Sequence, residues 1–139
     1  MVTSYYLDTS VALRILLGES PVAARWFEHA VESPADAVIS SRVLRTEMTR
    51  ALRRVRQPID MRSEILDFIG LVPLDHGILQ EAEAIVPHIM TLDAIHLASA
   101  LHSGVEELVI ATHDKNMTSV AKELGFDTHD PVADDPEQR

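Results

Sequence analysis

Leu108-Val109-Ile110-Ala111 is an unbroken apolar run with Glu107 before it and Thr112 after it. Continuous apolarity over so short a span marks a strand buried on both faces, as strands of parallel sheets are. Reading outward, Asn116–Leu124 is helical, Gly125 ends it, and Phe126–Thr128 forms a last strand. Upstream, Thr91 caps a helix through about His102, and a helix from about 77 to Val86 is halted by Pro87. Leu71–Leu74 reads as a weak strand, and Pro58 begins a helix that stops at Gly70. Ala37–Ile39 is a short strand, after which Ser40-Ser41 cap an arginine-rich helix of about 42–56. At the start, Thr3–Leu7 is β-branched and aromatic, and Asp8-Thr9-Ser10 opens an apolar helix ending at Gly18. Ser20-Pro21 starts the next helix, with Ser at the N-cap and Pro in its first turn. Strands alternating with helices predict an α/β fold, a parallel sheet covered on both faces. The domain is expected over residues 1–130, with 131–139 a frayed acidic tail carrying Pro131 and Pro136.

The 139 residues fit one domain with a single substantial core. With 46% hydrophobic and 24% charged residues, wholesale disorder is excluded. No apolar run approaches the roughly 18–20 residues of a membrane span. Residues 1–17 lack the charged start and cleavage site of a signal peptide, so a cytoplasmic protein is expected. The absence of cysteine rules out disulfides, thiolate nucleophiles and Cys-ligated zinc. A net charge of −10 argues against a polyanionic partner until its distribution is considered. Residues 42–62 hold seven arginines against Glu47 and Asp60, so this stretch is +5 and the remainder −15. Such a strip is either a solvated helix face or a surface for polyanions or partners.

Four acids stand out. Ligands of open parallel sheets sit outside the carboxyl ends of the strands, and Asp8 and Asp114 fall there. Either one could equally be an ordinary helix cap. Asp93 lies in the first turn of a helix that is apolar nearly all round, where the dipole favours a carboxylate for structural reasons alone. Glu47 sits on the flank of the stripe Leu44, Met48, Ala51, Leu52 and Val55, beside Arg50 and Arg54. It either pairs with an arginine along its helix or reaches into a cleft next to a phosphate-binding one. If the four converged they would repel one another, and a hard divalent cation such as Mg²⁺ would relieve that.

Tyr6-Leu7-Asp8-Thr9-Ser10, Thr46-Glu47-Met48 with Ala51-Leu52, Thr91-Leu92-Asp93-Ala94-Ile95-His96-Leu97-Ala98 and Thr112-His113-Asp114 follow the order and spacing of PIN-domain proteins. The chain resembles, more narrowly, VapC-type toxins, the ribonuclease half of toxin–antitoxin pairs, over roughly residues 1–129. The resemblance implies a three-layer α/β/α fold with a parallel sheet of about five strands. It further implies that Asp8, Glu47, Asp93 and Asp114 form a catalytic Mg²⁺/Mn²⁺ pocket for RNA phosphodiester hydrolysis, supported by Ser10, Thr112 and Asn116. It implies a cognate antitoxin that inhibits the enzyme and a homodimer as well. Arg45, Arg50, Arg53 and Arg54 are the expected RNA contacts. Met90 departs from the family, whose members often carry arginine two residues before the Leu-Asp pair. The competing function is a PIN-like module that binds protein or RNA without cutting.

Other chemistries lack their residues. No Gly-x-Ser-x-Gly elbow, Gly-x-x-x-x-Gly-Lys-Ser/Thr loop or Gly-x-Gly-x-x-Gly turn occurs. Asp8 has no second aspartate at position 10, as an aspartyl-phosphate nucleophile of the haloacid-dehalogenase type would require. His96 is expected to pack in the core, hydrogen-bonded within its own helix. His29, His76, His88, His102 and His129 are expected at the surface, and Trp26 and Phe27 in the core.

Overall fold

Strand propensity at Ser4–Leu7 and the helix signals after it build the first unit of the sheet, β1 (Ser4–Leu7) followed by α1 (Thr9–Leu16). The computed structural model describes residues 3–32 and 37–133. The chain continues through α2 (Pro21–Glu32), β2 (Ala37–Ser41), α3 (Arg42–Arg54) and the single turn α4 (Ser63–Leu66). After β3 (Gly70–Val72) come α5 (His76–Ala84), α6 (Thr91–His102), β4 (Val109–Ala111), α7 (Lys115–Glu123) and β5 (Asp127–His129). All pairings are parallel, in the order β3-β2-β1-β4-β5. The chain winds outward from β1 to β3, then crosses back to β4. The switch point therefore lies between β1 and β4, where a doubly wound sheet opens a crevice for ligands.

The two-residue alternation of β1 divides the core. Leu7 joins Val11, Leu16, Phe27, Leu44, Met48 and Leu52 under α1, α2 and α3, with Tyr5 packed against them. Tyr6 points the other way, into Leu97, Leu108, Ile110, Met117 and Val120 beneath α6 and α7. Each such fully buried aliphatic side chain contributes roughly 1.5–3 kcal/mol. Phe27 is in the core as expected, and the half-buried Trp26 stacks edge-on against Tyr5 at 5.1 Å. Three layers with a five-stranded parallel sheet result, the fold class expected.

Three local expectations need correction. The helix predicted from Pro58 to Gly70 is instead a 3₁₀ turn (Ile59–Arg62) and the one-turn α4. Ser63 Oγ donates to the Asp60 carbonyl at 2.8 Å, and Arg62 Nε donates to the Ile59 carbonyl at 3.2 Å. Side-chain bonds thus compete with a helical ladder. Gly70 stops nothing; it opens β3 and pairs with Ile39. Thr91 is the first residue of α6, and the N-cap is the extended Met90, which makes no side-chain cap bond. The tail is not frayed at its start, because Pro131 and Val132 are buried, Val132 in the core under α1 and α3. Residues 134–139 lie outside the described residues. Among the described residues no helix is long and apolar enough to cross a membrane.

Candidate metal and nucleic-acid site

Asp8 follows the last residue of β1 with extended backbone, and its carbonyl accepts the first amides of α1. Its side chain does no capping. Instead Oδ2 accepts from Ser10 Oγ at 2.7 Å and from Thr112 Oγ1 at 2.8 Å. Asp8 is 2% exposed, yet Oδ1 is buried with no hydrogen-bond partner. Leaving such an oxygen dry and unpaired is costly, so this atom is the one that asks for a ligand.

Register brings the end of β4 alongside. Leu7 pairs with Ala111, and the Asp8 amide donates to the Ala111 carbonyl at 3.0 Å. Thr112 therefore stands beside Asp8, and its hydroxyl also accepts the Asp114 amide at 3.1 Å. Asp114 is the N-cap of α7, with Oδ1 accepting from the Met117 amide at 2.8 Å. It is exposed and shares a recess of about 420 Å³ with Ser10, Arg14, Arg54 and His113.

Asp93 is half-buried in the first turn of α6. Its pKa is pushed from 3.8 up to about 6, by burial first and then by the charges of Asp8 and Asp114. Glu47 adds to the shift. Four acids from four separate segments thus share one electrostatic field. Glu47 turns inward from α3 and makes no intrahelical arginine pair. Its Oε1 meets Thr9 Oγ1 at 2.8 Å and His96 Nε2 at 2.7 Å.

Glu47 also lines a cleft of about 640 Å³ with Thr9, Leu13, Arg50, Arg53, Arg54 and Leu92. Arg45 is not there. Nine residues before Arg54, it lies on the opposite face of α3, in a groove with Ile59, Asp60 and Arg62. Asn116 is likewise not drawn to the acids, because its exposed amide donates to the His88 carbonyl at 3.3 Å. His96 is buried as expected, but its partners lie outside its helix. Nδ1 meets the Tyr6 hydroxyl at 2.6 Å, while Nε2 faces Glu47 and Thr9. His29, His76, His88, His102 and His129 are exposed, as expected. Thr9, Tyr6 and His96 are the contributors that sequence reasoning missed. The i,i+3 spacing of Asp93 and His96 was the available signal, since it puts both on one side of α6.

The donor set is all oxygen apart from His96, which suits a hard cation. Among the described residues no three carboxylate or histidine donors already stand at direct ligand spacing around one point. Fold and pocket together define a class: small α/β domains that gather acids at the switch point of a parallel sheet beside an arginine-lined cleft.

The PIN domain family model matches residues 5–123. The chain is 31% identical over 132 residues to Ribonuclease VapC47 of Mycobacterium tuberculosis (strain CDC 1551 / Oshkosh), covering 92% of this chain and 97% of that one. VapBC2 from Rickettsia felis, solved with a promoter DNA fragment, superposes with a TM-score of 0.68 at 9% identity, covering 91% and 98% of the two chains. A toxin–antitoxin complex from Klebsiella pneumoniae gives 0.65 at 18% identity, covering 91% and 97%. The chain belongs to the PIN domain family, on its VapC branch.

Proposed function

We propose that the chain is a Mg²⁺- or Mn²⁺-dependent ribonuclease toxin, with Asp8, Glu47, Asp93 and Asp114 as its catalytic acids. The observation that carries the reading is the raised pKa of Asp93, caused after burial by Asp8 and Asp114. Acids held close at that cost to the metal-free fold are suited to a divalent cation. The orphaned Oδ1 of Asp8 is an independent argument for the same ligand. The kinship with Ribonuclease VapC47 supports RNA as the substrate.

Asp8, Asp93 and Asp114 would hold the cation directly or through water, and Glu47 would complete the pocket or orient the attacking water. When bound, a divalent cation polarises the scissile phosphate and makes hydroxide available near neutral pH. Ser10 and Thr112 fix the rotamer of Asp8 by holding Oδ2, so that Oδ1 faces its ligand without reorganisation. Arg50, Arg53 and Arg54 bind flanking phosphates, which positions the strand without reading its bases.

Two protein partners belong to the proposal, a cognate antitoxin and a second copy of this chain. Exposed Phe68, Met90 and the 93% exposed Val86 supply apolar surface for such contacts. The deciding test is RNA cleavage by wild type, Asp8→Asn and Asp93→Asn in Mg²⁺ or Mn²⁺. Loss in both variants is expected; cleavage at the wild-type rate by either one overturns the assignment.

A further inference from the structure

His96 is 1% exposed and has no part in the chemistry proposed above. Its ring is wedged between three elements. Tyr6 on β1 lies against it edge-on, with centroids 5.7 Å apart and planes at 80°. Thr9 on α1 and Glu47 on α3 crowd its other edge.

The hydrogens of this cluster follow from its distances. Burial raises the pKa of the Tyr6 hydroxyl, which therefore keeps its proton. Its 2.6 Å separation from His96 Nδ1 is shorter than the N–H···O range and fits an O–H donor. Nδ1 is then the acceptor, and a neutral imidazole carries its one proton on Nε2. That proton points at Glu47 Oε1, 2.7 Å away, where Thr9 Oγ1 donates as well at 2.8 Å. Two donors occupy Oε1, and among the described residues no hydrogen bond ties Oε2.

We propose that His96, set in its tautomer by Tyr6, is the positioning residue for Glu47: it draws the carboxylate inward and presents one oxygen to the catalytic pocket. The inference rests on Glu47 belonging to that pocket. It gives the network a second effect. On an isolated helix Glu47 would pair with Arg50, three residues on. Held by His96 and Thr9 instead, it leaves the arginines of the cleft free for phosphates. His96 sits one turn after Asp93 on α6, so a single helix supplies one acid and orients another.

The test uses the intact chain labelled with ¹⁵N-histidine. Long-range ¹H–¹⁵N spectra of the metal-free protein are expected to show His96 protonated on Nε2 with slow exchange and bare on Nδ1. Tyr6→Phe keeps the ring packing and removes the donor to Nδ1, so the single-tautomer signal should be lost. Finding Nδ1 protonated in wild type, or Tyr6→Phe with an unchanged signal, overturns the proposal.

Mn²⁺ titration monitored by electron paramagnetic resonance supplies a second readout. Affinity is expected to fall roughly 10–100-fold in Tyr6→Phe and His96→Leu, as for other groups that orient ligands, with partial recovery in His96→Gln. RNA cleavage should lose kcat with KM unchanged. Should His96→Leu fail to fold, Tyr6→Phe decides: wild-type Mn²⁺ affinity and wild-type kcat in that variant overturn the proposal. A fully active Asp8→Asn would sink the ribonuclease reading while leaving the tautomer result standing, so the two failures are distinguishable.

Discussion

Asp8 and Asp114 hold matching posts at the ends of neighbouring strands, each the N-cap residue of the helix that follows. Their side chains do opposite things. Asp114 is exposed and spends Oδ1 on the Met117 amide, as a capping residue should. Asp8 ignores its helix, is sealed from solvent, and is gripped through Oδ2 by hydroxyls from Ser10 and Thr112. The first arrangement stabilises a helix and lends its charge to the pocket. The second sacrifices stability for an oriented, unpartnered oxygen. A carboxylate after a strand is therefore structural or functional according to what its neighbours offer, and Thr112 touches both cases.

The sharpest way to break the comparison is Asp8→Asn. Cleavage should fall on the order of a thousandfold, since several kcal/mol of charge stabilisation leave with it. Its melting temperature without metal should hold or rise, because a buried unpaired charge is gone. A melt more than a few degrees lower would mean that Asp8 is structural.

Thr112→Val comes next, as it unties both ends. It removes one of the two donors to Asp8 and the acceptor for the Asp114 amide. Activity should drop roughly 10–100-fold, the usual cost of losing a group that orients a ligand, with Mn²⁺ affinity following. Equal kcat in the two proteins would show that Ser10 alone suffices.

At Asp114 the two roles should separate. Asp114→Asn keeps a capping side chain and should unfold like wild type while losing activity, whereas Asp114→Ala should also lose about 1 kcal/mol of stability in urea titrations. If both variants are equally stable, the cap contributes nothing.

The smallest effect belongs to Asp93. Its carboxyl binds a proton more tightly folded, near 6, than its ordinary value of 3.8. The fold is therefore favoured at low pH by this group, and that preference is lost as pH rises through about 6. Asp93→Asn removes the penalty. Solvent screening of this half-buried group trims the effect, leaving a rise in the metal-free melting midpoint on the order of 3 °C at pH 7.5. The gap should close near pH 4, and added Mn²⁺ should raise the midpoint of wild type but not of the variant.

The strands around this site were legible because both sheet faces are covered: Leu108–Ala111 and Thr3–Leu7 carry no competing pattern. Helix starts at Ser20 and Ser41 were legible through their hydroxyls, which accept the Ala23 and Val43 amides. Pro58–Gly70 was not, since Ser63 and Arg62 bond back to the Asp60 and Ile59 carbonyls and break the helical ladder. Within the site, the acids and the hydroxyls of Ser10 and Thr112 stood out by pattern. The partners of His96 did not. Tyr6 and Glu47 are 90 and 49 residues away, and only the folded sheet brings them to one ring. Asn116 donates to the His88 carbonyl, a partner 28 residues away that its own sequence neighbourhood does not announce.

The way Asp8 and Glu47 are held has a consequence for ion choice. In each, two donors cover one oxygen, so neither carboxylate can clasp an ion with both. Calcium reaches six to eight ligands partly by such bidentate clasps at long distances, whereas magnesium accepts single oxygens in a tight octahedron completed by water. Denticity, set by three hydroxyls and one imidazole, would then count against calcium in the proposed pocket, and competition of Ca²⁺ against bound Mn²⁺ should require a large excess.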